Sequence, residues 1–142
     1  MRKKKYLFEQ LGISFKDKSK HYRIDEGGEE SFQEVRIVIE EAVLGENLLH
    51  LNAFYDDENS SIVVDSDGFR SSILVHDELH GISYNYRNEK YAGQEEFVEV
   101  GGYYAPQKCV CEDAKVLLDI ILTFLETGEP CTRYQWFETH DD

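Results

Sequence analysis

Three cysteines (Cys109, Cys111, Cys131) and five histidines (His21, His50, His76, His80, His140) are the side chains best suited to hold a metal or attack a carbonyl. Their spacing argues against both uses. Structural zinc sites pair cysteines across two to four intervening residues and take four ligands. Here a single residue separates Cys109 from Cys111, and no histidine pair stands nearby in sequence. A nucleophilic cysteine needs a base and an electropositive setting. Cys111 is instead followed by Glu112 and Asp113, whose charge opposes a thiolate. The cysteines therefore read as small core or boundary residues. Asp65-Ser66-Asp67-Gly68 starts like a calcium loop, but the glycine comes too early, and Phe69 and His76 stand where ligands are required. A hairpin turn is the better reading. Phosphate-binding glycine loops and H-E-x-x-H are lacking. The expectation is a protein with no catalytic residues, no metal ligands and no cofactor.

Charge says more about partners. Against 15 Lys+Arg stand 29 Asp+Glu, a net charge of −14. Phosphate contacts need surplus cations, so nucleic acid and anionic membrane are both disfavoured as partners. The charge is also divided along the chain. Up to Arg23, eight bases face two acids; from Ile24 onward, seven bases face 27 acids, giving a body of −20. Such a field draws in basic ligands, although acidity also serves plain solubility. The basic start Met1-Arg2-Lys3-Lys4-Lys5 is not followed by the apolar run of a signal peptide, because Glu9 interrupts it. No stretch approaches the roughly 18 apolar residues of a membrane span. An odd cysteine number with a tight C-x-C fits a reduced, cytoplasmic protein.

The elements that must carry any surface follow from periodicity. Residues 1–30 read poorly; Tyr6, Phe8, Ile13 and Phe15 suggest at most a short hairpin. Ser31 and Glu34 have capping-box spacing, and Phe32, Val35, Val38, Ile39 and Ala42 recur as on one helix face. Val35, Ile37 and Ile39 also alternate, so a strand competes there. Gly45 is the stop. Short β-branched and aromatic runs then alternate with turn signals at Leu49–Tyr55, Ile62–Val64, Ile73–Val75, Ile82–Tyr86 and Phe97–Val100, which predicts an antiparallel meander. A helix is predicted over about 112–127. Ala114, Leu117, Leu118, Ile121 and Leu125 form its apolar face, widened by Val116, Ile120 and Phe124, with Gly128 as left-handed cap and Pro130 beyond. Arg133, Gln135 and Phe137 alternate as a last strand. The sum is a single α+β domain over 1–142: an antiparallel sheet of five or six strands packed by two main helices.

The acids gather on turns close to aromatics. Asp56, Asp57 and Glu58, then Asp65 and Asp67, then Glu95, Glu96 and Glu99 are neighbours in sequence of Phe54, Tyr55, Tyr84, Tyr86, Tyr91, Phe97, Tyr103 and Tyr104. Carboxylates beside tyrosines compose an interface for a basic protein, with rings as anchors and acids as lysine or arginine partners. The candidate contacts are Asp56, Asp57, Glu58, Asp65, Asp67, Tyr84, Tyr86, Tyr91, Glu95, Glu96 and Glu99. The competing reading makes half of these tyrosines core and the acids merely solvated.

The last third carries a resemblance. Tyr104-Ala105-Pro106-Gln107-Lys108-Cys109-Val110-Cys111-Glu112-Asp113-Ala114-Lys115 leads into the helix, which ends Phe124-Leu125-Glu126-Thr127-Gly128-Glu129-Pro130, with Trp136 on the strand after it. Over about 103–137 this resembles a family of bacterial immunity proteins that neutralise polymorphic toxins, deaminases and nucleases among them, including those of contact-dependent growth inhibition. The resemblance implies a cytoplasmic toxin inhibitor without enzymatic activity. It would bind one-to-one, as a monomer, to the C-terminal domain of a cognate, basic toxin and occlude its active site. Phe124, Leu125, Thr127, Gly128, Pro130 and Trp136 would then be structural, and the contacts would lie on the acidic loops. The rival readings are an adaptor domain for another cytoplasmic protein and a small enzyme built around His50, His76 or Cys111.

Overall fold

The computed structural model describes residues 10–16, 18–23, 29–55 and 60–140. Among the described residues, ten strands and two α-helices follow in chain order. They are β1 (Gln10–Phe15), β2 (Lys18–Arg23), α1 (Glu29–Leu44), β3 (Leu49–Tyr55), β4 (Ser60–Ser66), β5 (Ser71–Asp77), β6 (Ile82–Tyr86), β7 (Phe97–Val100), β8 (Tyr103–Pro106), β9 (Val110–Cys111), α2 (Ala114–Thr127) and β10 (Trp136–His140). The main sheet runs β10-β6-β5-β4-β3-β1-β2, with β9 added against β5; β7 and β8 form a separate two-stranded ribbon. All strand pairs are antiparallel. This is an α+β fold with two helices, as expected, but its sheet has eight strands rather than five or six.

The additional strands of this sheet come from two places. The segment that reads poorly in sequence supplies β1 and β2, a hairpin whose Phe15 faces Lys18 across the turn. Lys16 takes the left-handed backbone there at φ 52°, which a lysine rarely adopts and the tight turn requires. Sequence alternation is weak in this region because β2, Lys-Ser-Lys-His-Tyr-Arg, is a polar edge strand. The two-residue β9 is too short to leave a pattern. β7 (Phe97–Val100), expected as part of the meander, instead pairs with β8 in the separate ribbon outside that sheet.

One sheet face is buried. Leu11, Ile13 and Phe15 of β1, Leu49, Leu51 and Ala53 of β3, Ile62 and Val64 of β4, and Ile73 and Val75 of β5 form one core with both helices. On α1 the buried positions are Phe32, Val35, Ile39, Ala42 and Val43, while Ile37 is 65% exposed. That outward Ile37 decides between the helical and the strand period. The helix begins at Glu29, two residues before Ser31, so Ser31 is not its cap. On α2 the buried residues are Leu117, Ile120, Ile121, Phe124 and Leu125. Ile120 and Phe124, expected to flank the apolar face, therefore lie at its centre.

Asp113 caps α2 by accepting from the Lys115 and Val116 N–H groups, and Gly128 ends it in the left-handed region at φ 74°. The helix accordingly starts at Ala114 rather than Glu112. The closing strand starts at Trp136, later than expected, because Thr132–Tyr134 turn back toward α2. There Asp119 accepts from Arg133 and, at 2.8 Å, from the Tyr134 hydroxyl. No helix among the described residues is long and apolar enough to cross a membrane.

Candidate functional site

The sheet face away from the helices has no buried residue along β1, β3, β4 and β5. Strand register sorts its side chains into rows. His21, Gly12, Asn52, Val63, Leu74, Asn85 and Phe137 stand opposite one another in sequence of strands, as do Ser19, Ser14, His50, Asp65 and Ser72. This face is largely uncharged. The expected docking acids therefore do not form a patch on it, with Asp65 the exception.

The expected contact residues separate into four groups. Asp56, Asp57 and Glu58 lie outside the described residues. Asp65 is bound to His50, Oδ1 to Nδ1 at 2.6 Å. Asp67 organises the β4–β5 turn, accepting from the Phe69 and Arg70 N–H groups and from Arg70 Nε. Its carboxyl sits below its ordinary pKa even though burial acts the other way, because these donors outweigh the loss of water. The turn reading of Asp65–Gly68 holds, with Gly68 at φ 101°.

Tyr84, Tyr86 and Tyr91 form the third group. Tyr84 and Tyr86 are half-buried and pack on the helix-side core. Tyr86 stands edge-on to Trp136, and burial pushes its phenol up to about 12. Tyr91 donates to both carboxylate oxygens of Glu112, at 3.0 and 3.2 Å. These rings hold the fold together.

Glu95, Glu96 and Glu99 are the fourth group, and all three are exposed. Their setting is the β7–β8 ribbon. Glu99 pairs with Tyr104, and Phe97 with Pro106, so period-two alternation puts Phe97, Glu99 and Tyr104 on one face. The opposite face buries Val100 and Ala105 with Val110 in a small second core. Phe97 is 63% and Tyr104 76% exposed. Arg70 holds the ribbon by donating to the Glu99 carbonyl at 2.9 Å. Phe97 and Tyr104, rather than the tyrosines of β6, are the exposed rings beside these acids. The signal that separates them is register: Tyr84 stands opposite the buried Val75.

The motif residues of the chain's last third sit where structural residues belong. Phe124 and Leu125 are buried. Thr127 donates to the Thr123 carbonyl at 2.8 Å and accepts from the Glu129 N–H. Pro130 follows the Gly128 cap. Trp136 donates its indole N–H to the Cys131 carbonyl at 2.9 Å. Cys111 and Cys131 are buried and Cys109 half-buried, and burial raises the Cys111 thiol to about 11. A thiol that high is protonated at neutral pH and a poor nucleophile.

A cleft of about 740 Å³ opens at the sheet end where the β1–β2 turn, the α1–β3 connection and the β7–β8 turn meet. His50 and Asp65 line it together with Ser14 and Ser19. Serine, histidine and aspartate thus share one row, but Ser14 Oγ pairs with Ser19 Oγ at 3.1 Å rather than with the imidazole.

The fold places the chain among α+β proteins with two helices on one face of a mostly antiparallel sheet. A crystal structure of a hypothetical protein from Neisseria gonorrhoeae is similar, with a TM-score of 0.57 at 17% identity, covering 88% of this chain and 91% of that one. At that identity the likeness concerns the fold. No family model matches the chain, and no curated protein matches it.

Proposed function

We propose that the protein is an immunity protein that binds a basic, nucleic-acid-targeting toxin domain and occludes its active site, with the β7–β8 ribbon at the centre of the contact. The observation that supports this most is the ribbon's outward face. Two aromatic rings, Phe97 and Tyr104, stand in solvent beside Glu99, with Glu95 and Glu96 in the strand's approach. Large rings supply contact area at low entropic cost, and carboxylates around them select a cationic partner. The −14 net charge adds long-range attraction for such a partner. The ending Phe124-Leu125-Glu126-Thr127-Gly128 followed by Trp136 is the sequence support for the family.

The test is growth rescue by co-expression with a toxin domain encoded beside this gene, paired with stopped-flow association at rising salt. Rescue should be stoichiometric. The association rate should fall at least about tenfold between roughly 50 and 500 mM salt. Rescue with a salt-independent rate would remove the electrostatic part of the reading; absence of any rescue or complex would remove the whole.

A further inference from the structure

Charge is nearly excluded from the open face of the main sheet. Across β1, β3, β4, β5, β6 and β10, register puts Asp65 there as the one formally charged residue, in a chain with 29 Asp+Glu and 15 Lys+Arg. Elsewhere the acids stand in solvent: Glu34 and Glu41 on α1, and Glu95, Glu96 and Glu99 at the ribbon, are exposed. Depletion of charge, more than hydrophobicity, marks the centre of a protein–protein interface.

The face is also prepared for the loss of water. Its polar side chains bond one another across strands: His50 with Asp65 at 2.6 Å, His76 Nδ1 with Ser83 Oγ at 2.9 Å, and Ser14 with Ser19 at 3.1 Å. Polar groups already paired cost less to bury, and their fixed rotamers leave less entropy to lose on contact. Apolar groups lie between them. Val63 and Leu74 face each other at the centre of the middle row, and Phe137 ends it. Phe54 is 52% and Leu74 36% exposed.

We propose that this face is the contact of a symmetric dimer, its occupant a second copy of the same chain stacked sheet on sheet. Two chains of −14 repel wherever acids meet acids, and this face brings few of them together. The area is sufficient. Seven strands about 4.8 Å apart and six residues at about 3.4 Å rise give a projection on the order of 600 Å². Side-chain relief carries the accessible area toward the roughly 800 Å² each partner of a stable pair buries. The ribbon fixes the orientation. Val110, opposite Ser72 by register, is buried with Val100 and Ala105, so the ribbon rises on this side at one end of the sheet. A twofold axis across the strands, along the middle row, places the two ribbons at opposite ends, where they do not collide. It stacks the sheets in the aligned manner and sets Val63 and Leu74 against their counterparts. Asn52 and Asn85 meet their own copies as well, and an amide is both donor and acceptor for another. The dimer is independent of the toxin reading, and salt separates the two. Salt loosens a basic partner but tightens a pair of like-charged chains.

The experiment is sedimentation velocity of the full chain from about 1 to 200 μM, at about 50 and 500 mM salt. A dimer should form with a Kd of about 10 μM or tighter at the higher salt, and at least about threefold weaker at the lower. Leu74→Glu should weaken it at least about tenfold, and the isosteric Asn52→Asp at least about threefold, since each sets two carboxylates against each other. Both variants should keep the circular dichroism spectrum and cooperative melting of the parent. Ile37→Glu, on the exposed side of α1, should leave the dimer unchanged. A monomer at about 200 μM, a dimer indifferent to both Leu74→Glu and Asn52→Asp, one weakened equally by Ile37→Glu, or one that salt loosens would each overturn the assignment. A monomer whose toxin binding is weakened by Leu74→Glu would give the face to the basic partner instead.

Discussion

Tyr86 and Trp136 stand directly opposite each other on β6 and β10, ring centroids 6.2 Å apart and planes at 89°. The edge-to-face pair, with the indole N–H bound to the Cys131 carbonyl, fastens the last strand to the sheet. Trp136→Phe should lose that hydrogen bond and about 1 kcal/mol. Trp136→Ala should cost about 2–4 kcal/mol, below the fully buried range because the ring is half-buried. Urea unfolding followed by circular dichroism measures both, since the chain's single tryptophan is removed.

The same burial sets an alkaline limit. Desolvation raises the Tyr86 phenol from 10.0 to about 12. The folded protein then holds a proton that the unfolded chain releases, so stability is fully present below pH 10 and declines as pH rises toward 12. Tyr22, Tyr84 and Tyr134 are raised too, and spectrophotometric titration should show the late tyrosine step near pH 12 that belongs to Tyr86. Tyr86→Phe should delete that late step and flatten the alkaline stability limb; a late step that survives the substitution would assign it to another ring.

At acid pH Asp119 is one of the sensitive groups, beside Asp67. Hydrogen bonding from Arg133, and then from Tyr134, holds its carboxyl below the ordinary 3.8 against the effect of burial. A depressed carboxylate stabilises the fold above its unfolded value and loses that contribution as pH falls through the folded one. Asp119→Asn should lower the melting temperature at neutral pH and make it less steeply dependent on pH between about 2 and 6. A parallel curve, merely displaced, would show that the charge of Asp119 is not what matters.

Docking residues and fold residues should separate by substitution. Phe97→Ala, Tyr104→Ala and the charge reversals Glu95→Lys, Glu96→Lys and Glu99→Lys alter exposed positions, and stability should change by about 0.5 kcal/mol or less. The ring removals should accelerate toxin dissociation, and the reversals should slow association. Tyr84→Ala should do the opposite, costing stability first. Unchanged binding in all five ribbon variants would place the contact elsewhere.

Much of the fold is legible in the chain because local rules agree with the global ones there. Leu117, Ile121 and Leu125 repeat at helical spacing, with Gly128 and Pro130 as stop signals. The strands of the meander are legible as β-branched runs between turn signals, and burial alternates along β4 and β5, although Val63 and Leu74 on the open face leave no alternation in the sequence itself. The hairpin of β1 and β2 is less legible, since an edge strand buries little and carries lysines instead of a pattern. In β6, Tyr84 and Tyr86 alternate with Ser83 and Asn85, which fixes two faces but not which of them meets the core. Asp67 looked like a free acid because a turn carboxylate and a docking carboxylate have the same neighbours in sequence.

The sequence by itself determined the charge of −14, the α+β class, the second helix and the cap at Gly128, because composition, period and capping are local properties. Only the tertiary structure decided which aromatics are surface and which are core, since Tyr86 and Tyr104 differ in the strand each one faces rather than in their neighbours along the chain. It also brought Lys16, Lys18, His50 and Asp65 to one cleft. Residues far apart along the chain become adjacent only through strand register, and register is set by the packing of the whole buried face.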